Sequence, residues 1–324
     1  MTGPQNLLDH SAEHAAELQA EGATRSGGVA TASRRSTPWL LLEAMRPKQW
    51  IKNLFVFAGL AFAGKVTDPR DVALAVATFF AFCLASGGTY LLNDVRDAED
   101  DRHNPRTASR PIARGDLSPT LALSAAGVAA ALALAGTALV NWQTLLALTG
   151  YIVLQLGYSN GLKHVLFVDV MAIAAGFVLR AAAGGLAINV PISSWLLLCT
   201  GLLAVFLGFT KRRAEAVSLG GSEQPRRAVL DHYSVGLLDE LISVVTPSTV
   251  VVYAIYAVTG AQTHWMLLTL PFVLYGVFRV LYLIHHHGSM TEEPAVIVYR
   301  DRPLLVCVVL WGVCAATIAA IAGA

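Results

Sequence analysis

Apolar residues along this chain gather into nine runs, separated by short polar breaks. The runs cover approximately residues 51–64, 72–92, 117–140, 145–156, 165–187, 195–210, 237–259, 265–284 and 304–321. A membrane-crossing helix needs about 20 consecutive, mostly apolar residues. Seven runs approach that length; the first and fourth are short. The pattern predicts an all-α, polytopic membrane protein with nine transmembrane helices.

The polar breaks are not equivalent. On one side fall Arg46, Lys48 and Lys52, then Arg96, Arg102, Arg106, Arg110 and Arg114, then Lys163, then Lys211, Arg212, Arg213, Arg226 and Arg227, and finally Arg300 and Arg302. The other side receives only Lys65 and Arg70. Positive residues are retained on the cytoplasmic side, so the charged, longer connections are expected inside. Nine spans then put the N-terminus inside and the C-terminus outside. Residues 1–38, rich in Ala, Ser, Gly and Glu and without an apolar core, read as a disordered cytoplasmic tail and not a secretory signal. Residues 39–324 form the membrane domain.

Composition agrees. Of the residues, 55% are hydrophobic and 14% charged, far from the roughly 25% charged content of soluble domains. The formal net charge of +1 and the lack of a basic tract argue against a nucleic-acid partner. Cys83, Cys199, Cys307 and Cys314 stand singly inside apolar runs, without the spacing of a zinc site or disulfide framework.

Chemistry concentrates where the second run meets a charged break. There the chain reads Asn93-Asp94-Val95-Arg96-Asp97-Ala98-Glu99-Asp100-Asp101, an NDxxDxxxD pattern. On a helix Asp94, Asp97 and Asp101 fall within an arc of about 60°, stacked on one face. Carboxylates so placed repel unless neutralised. A hard divalent cation such as Mg²⁺, held by a few carboxylates, substrate phosphate and water, would do so; so would pairing with Arg96, Arg102 and Arg106. Arg106 and Arg110 follow in RTASRPI, with guanidinium forks matched to phosphate oxygens.

Two further charges lie within apolar runs, where an unpaired ion costs at least ~2.5 kcal/mol. Asp169 and Arg180 are eleven residues apart, about 20° in helical phase, so both should face the bundle interior. Asp169 could serve a metal or ribose and Arg180 a phosphate, or both could be structural ion-pair partners. Lys211, Arg212 and Glu215 close the sixth run, and Arg300-Asp301-Arg302 precedes the ninth; either group could grip a phosphate or anionic lipid headgroups. His285, His286 and His287 are consecutive, so on a helix they point 100° apart and cannot converge on one ion.

The NDxxDxxxD run followed by RTASRPI resembles the first aspartate-rich motif of the UbiA superfamily, intramembrane enzymes of nine helices that bind a diphosphate through Mg²⁺. The likeness extends from about Arg46 to the C-terminus. It implies a UbiA-type bundle in the inner membrane, a cytoplasmic active site, and Asn93, Asp94, Asp97 and Asp101 as metal ligands, the three aspartates being catalytic. The family's usual second motif, DxxxD, is missing. In its place stands Tyr158-Ser159-Asn160-Gly161-Leu162-Lys163-His164. With RPKQWIKN at residues 46–53, LRAAAGG, GFTKRRAE and YRDRP, that arrangement looks like the decaprenyl-phosphate phosphoribosyltransferase branch.

In that branch a polyprenyl phosphate accepts 5-phosphoribose from phosphoribosyl diphosphate. The resemblance accordingly implies Lys48, Asn93, Arg106, Arg110, Tyr158, Lys163, Asp169, Arg180, Lys211 and Arg212 as substrate-binding residues. Tyr158 and Lys163 would hold the lipid's single phosphate, which needs no second magnesium. Membrane lipids are further partners, and self-association stays open. An ordinary prenyltransferase, moving a polyprenyl group from its diphosphate to an aromatic or other acceptor, is the alternative within the family. A transporter is the alternative from another class, but it should carry paired broken helices in internal repeats, and none is evident.

The charge partition generates a direct test. Single cysteines placed at Arg106, Lys163 and Arg226 should react with an impermeant thiol reagent only from the cytoplasmic side, and one at Gly260 only from outside. Periplasmic labelling at Arg106 would invert the topology.

Overall fold

The computed structural model describes residues 36–105, 107–219, 228–261, 263–286, 297–298 and 300–323. The expected tail, apart from residues 36–38, and Arg106, Arg226, Arg227 and His287 lie outside the described residues. The chain divides into two compact units, residues 1–39 and 40–324. Of the first, only residues 36–39 are described. The second carries all the features that matter for the site.

Among the described residues every regular element is helical. In order these are α1 (Thr37–Ala44), a 3-10 helix (Pro47–Val56), α2 (Phe57–Phe62), α3 (Pro69–Arg96), α4 (Ala98–His103), α5 (Pro119–Val140), α6 (Trp142–Asn160), α7 (Val168–Ala187), α8 (Ser194–Leu219), α9 (Val235–Ile255), α10 (Leu270–His286) and α11 (Arg302–Gly323). Short 3-10 turns at Leu162–His164, Ala228–His232 and His264–Thr269 join them, and a π-turn, Tyr256–Gly260, extends α9.

Local chemistry sets the helix starts. Asp68 accepts hydrogen bonds from the Arg70 and Asp71 amides with Pro69 in the first turn, and Ser118 and Ser234 cap α5 and α9 likewise. These side chains satisfy amides that no preceding carbonyl can reach. Asn141 does more. Its Oδ1 accepts from Thr144 N at 2.8 Å while its Nδ2 donates to the Leu186 carbonyl at 2.8 Å, tying the start of α6 to the end of α7.

Among the described residues seven helices are long and apolar enough to cross a membrane: Pro69–Arg96, Pro119–Val140, Val168–Ala187, Ser194–Ser218, Val235–Gly260, His264–His286 and Arg302–Ala322. They match seven of the nine expected runs. The two short runs differ for physical reasons. The fourth belongs to α6, a full helix of 19 residues whose ends carry Gln143, Gln155, Ser159 and Asn160 and dilute its apolar content. The first is no single helix. Ten residues from Pro47 to Val56 wind as a 3-10 helix, then α2 adds six more.

That 3-10 segment is inserted against α3 and α7. Its Asn53 and Val56 are buried, and α7 meets it with glycine. A Cβ on Gly184 would collide with the Val56 carbonyl oxygen, and one on Gly59 would fall 2.6 Å from the Gly185 amide nitrogen. The LRAAAGG segment is therefore a surface made small so that two backbones can touch. Gly184→Ala should cost about 1–3 kcal/mol by overpacking, read as a lower Tm of the detergent-solubilised chain. Gly127→Ala, where the added methyl meets nothing within 4 Å, should not lower it. Equal melting of Gly184→Ala and wild type would refute the close approach.

Candidate active site

The NDVRD segment closes α3. Asp97 sits between α3 and α4 with φ −91° and ψ 7°, yet the helical ladder runs through it. Asp97 N donates to Asn93 O and Asp101 N to Asp97 O, both at 2.8 Å. Asp94 and Asp101, seven residues and two turns apart, consequently share a face. Both are buried. Arg110 Nη1 bridges them, 3.2 Å from Asp94 Oδ1 and 2.5 Å from Asp101 Oδ2. Arg46 Nη2 donates to the same Asp94 Oδ1, and its guanidinium stacks over the Tyr90 ring, 4.8 Å from the centroid.

Two carboxylate oxygens thus converge on one cationic nitrogen. Oxygen donors gathered about one point suit Mg²⁺, which takes hard oxygen ligands, so Asp94 and Asp101 fit the expected metal role. As the side chains stand, guanidinium groups do the neutralising, and among the described residues no three His, Cys, Asp or Glu side chains converge tightly enough to hold an ion. Asn93, Asp97, Lys48 and Lys163 make no side-chain hydrogen bond or ion pair among the described residues. They are the uncommitted groups of the site.

The loop that replaces a second carboxylate motif lies alongside. Arg96, between Asp94 and Asp97 in sequence, donates from Nη1 to Asn160 Oδ1, so α3 reaches the end of α6 at the YSNGLKH segment. Lys163 occupies the 3-10 turn that follows and is partly exposed.

Beyond this loop the expected ligands pair with one another. Arg212 is fully buried. Its Nε donates to Asp169 Oδ2 at 2.6 Å, its Nη1 to Glu215 Oε2 at 2.5 Å and its Nη2 to Tyr158 Oη at 3.2 Å. Tyr233 Oη donates to Asp169 Oδ1 at 3.0 Å and accepts from the Phe167 amide. Burial, and then the Asp169 charge, push the Tyr233 phenol above its ordinary range, so it stays a donor. Lys211 Nζ lies 3.9 Å from Glu215. The network joins α6, α7 and α8 to the chain before α9 and uses the polar atoms of Asp169 and Arg212 internally.

Arg180 faces the interior as its phase predicts, but Asp169 is not its partner. Its guanidinium donates to Asn53 Oδ1 at 2.7 Å, Gly176 O at 2.8 Å and Tyr151 Oη at 2.8 Å, between the rings of Tyr151 and Phe177. Asn53 in turn donates to Cys83 Sγ and Ser86 Oγ. Of the YRDRP segment, Asp301 pairs with Arg279 at 2.8 Å and caps α11 through the Leu304 amide. His285 and His286 engage the carbonyls of Leu281 and Tyr282.

Residues 53–220 match the model of the UbiA prenyltransferase family. The chain belongs to this family. It is 34% identical over 290 residues to the decaprenyl-phosphate phosphoribosyltransferase of Mycolicibacterium smegmatis, covering 84% of this chain and 89% of that protein. The enzyme of the same description from Corynebacterium glutamicum is 30% identical, covering 95% and 97%. Among solved structures, a UbiA homolog from Archaeoglobus fulgidus bound to GPP and Mg²⁺ superposes with a TM-score of 0.69 at 18% identity, covering 87% of this chain and 99% of that one. The UbiA fold is thus established for the bundle, and with it a multi-pass membrane protein.

In this UbiA chain Arg96, expected as a partner of the carboxylates, meets Asn160 instead, and Tyr233 was not among the expected site residues. Arg46 stood only in the charge count and at the head of RPKQWIKN, with no site role, although an arginine before Pro47 at the edge of a span was a usable signal. Tyr233 had none, since its partner lies 64 residues away. The paired network generates a prediction. Asp169→Ala leaves buried Arg212 with Glu215 as its remaining carboxylate and takes away the acceptor of the Tyr233 hydroxyl, and it should lose about 1–3 kcal/mol of stability and melt lower in detergent. Lys163→Ala, which breaks no hydrogen bond or ion pair among the described residues, should melt as wild type. Equal melting of the two variants would return Asp169 to a ligand role.

Proposed function

We propose that the chain transfers 5-phosphoribose from phosphoribosyl diphosphate to a long-chain polyprenyl phosphate, yielding polyprenylphosphoryl-5-phosphoribose for cell-wall arabinan precursors, and diphosphate. The observation that carries this reading is the Arg96–Asn160 contact. It joins the end of α3, which bears the cluster of Asp94 with Arg46, Arg110 and Asp101, to a loop with Tyr158, Asn160 and Lys163 but no carboxylate, and these would serve as two unlike anion sites. Such a pair suits one metal-bound diphosphate and one monophosphate. The near full-length likeness to two decaprenyl-phosphate phosphoribosyltransferases supports it.

Asn93, Asp94, Asp97 and Asp101 would hold Mg²⁺, which supplies charge neutralisation for the departing diphosphate. Arg46 and Arg110 would turn guanidinium forks toward the diphosphate oxygens, and Lys48, exposed two residues after Arg46, would add a further cation. Lys163 holds the lipid phosphate beside ribose C1. As the C1 to diphosphate bond breaks, an oxygen of that phosphate forms the new bond to C1. The phosphate is already anionic, so no general base is needed, and positioning carries much of the rate. Asp169, Arg212 and Arg180 keep the helices in register around both sites. The positive connections support a site at the cytoplasmic face of the inner membrane.

Purified chain given phosphoribosyl diphosphate, polyprenyl phosphate and Mg²⁺ should release diphosphate and form a lipid carrying phosphoribose by mass spectrometry, and omission of any one should abolish both. Asp94→Ala, Asp97→Ala and Asp101→Ala should each lose more than tenfold in turnover, about 1.4 kcal/mol of transition-state stabilisation. Lys163→Ala should chiefly raise KM for polyprenyl phosphate, because that charge contact exists in ground and transition states alike. Transfer of a prenyl group from a polyprenyl diphosphate to an aromatic acid, with no use of phosphoribosyl diphosphate, would replace this reading by the ordinary prenyltransferase one.

A further inference from the structure

Arg46 and Arg110 stand between the carboxylates and the outside. The arginine side chains are 30% and 28% exposed, whereas those of Asp94 and Asp101 are 2% and 10% exposed. The four charges cancel, so the site is electrically closed. Arg46 is also held under constraint. Its backbone is left-handed, φ 54° and ψ 65°, a region disfavoured for a residue with a β-carbon. The flanking contacts fix it there: its amide donates to Glu43 O, the Gln49 amide donates to its carbonyl at 2.8 Å, and Tyr90 lies under its guanidinium. Strain of this kind persists where the surroundings over-determine it.

We infer that Arg46 and Arg110 form a cationic lock over the carboxylate pair, so that a divalent cation enters only together with a diphosphate that takes over the two guanidinium groups. This rests on the reading of the site as a metal and diphosphate site. A divalent cation arriving alone must strip both guanidinium groups from Asp94 and Asp101. It leaves two partly exposed guanidinium groups beside a third cation with no carboxylate to neutralise them, so like charges face one another at the mouth of the site. A diphosphate changes that balance, since its oxygens accept from both arginines as the carboxylates turn to the metal. Ion pairs are exchanged and none is lost. Metal and diphosphate are therefore coupled reciprocally, as linkage requires, and Arg46 is a positioning residue for that coupling.

The test is equilibrium dialysis of the full-length chain in detergent against Mn²⁺, with bound metal read by electron paramagnetic resonance, with and without pyrophosphate. Wild type should bind Mn²⁺ at least about tenfold more tightly when pyrophosphate is present, within the usual range of coupling. Arg46→Gln and Arg110→Gln should bind Mn²⁺ alone at least about tenfold more tightly than wild type and lose most of the pyrophosphate enhancement. Arg114→Gln removes an equal charge nearby but touches Asp116 and Glu43, not the carboxylate pair, and should keep wild-type affinity. The lock is overturned if wild-type affinity ignores pyrophosphate, or if Arg114→Gln tightens Mn²⁺ as much as the other two. Should the arginine variants fail to fold, the wild-type coupling decides alone. Unchanged Mn²⁺ binding in Asp94→Asn and Asp101→Asn would instead remove the metal site itself, a separate failure.

Discussion

Inside an apolar bundle an ionised side chain must find its counterpart within its own reach, because water is not there to answer it. That constraint organises this UbiA chain. Arg212, with no exposed surface, meets Asp169 and Glu215 at once, and each of those contacts comes from a different point along the chain. Arg180 finds no carboxylate among the described residues and is held instead by an amide oxygen, a phenol, a backbone carbonyl and two ring faces. The helices that supply these partners cannot slide or rotate without leaving a charge unanswered, so the polar contacts set the register of a bundle whose apolar faces alone would tolerate several.

Much of this was legible from hydropathy and charge. Seven of the runs are helices at nearly the expected residues, since length and apolarity decide a span on their own. The stacking of Asp94 with Asp101 followed from helical phase; the Arg110 bridge between them did not, since Arg110 was expected on phosphate and the pairing alternative named Arg96, Arg102 and Arg106. Phase also turned Asp169 and Arg180 inward. It could not name their partners: Arg212 lies 43 residues from Asp169 and Asn53 lies 127 from Arg180, and periodicity carries no information over such separations. Asp169 and Arg212, both expected as ligands, pair with each other in a buried network that periodicity could not foresee. The first run misled through its composition, because apolar residues in a 3-10 helix and in an α-helix look alike to a hydropathy count.

The site and the core are mechanically one object. The segment from Arg46 to Val56 touches Asp94 at its start, holds Arg180 through Asn53 in its middle, and meets the glycines of α7 at its end. Asp94 sits on α3, which the same segment also packs against. A cation that shifts at Arg46 is thus read along a helical element packed against α3 and α7 and not along a free loop.

The winding of that segment has a consequence for reach. A 3-10 helix rises about 2.0 Å per residue against 1.5 Å for an α-helix, so ten residues from Pro47 to Val56 extend about 20 Å, roughly 5 Å farther than the same residues would as α-helix. The extra length is about one α-helical turn. The tighter coil therefore acts as a spacer whose two ends are both fixed, one by a carboxylate and the other by a glycine contact. Evolution of this stretch is confined accordingly: side chains can vary on its exposed face, but its residue count and its pitch must change together or not at all.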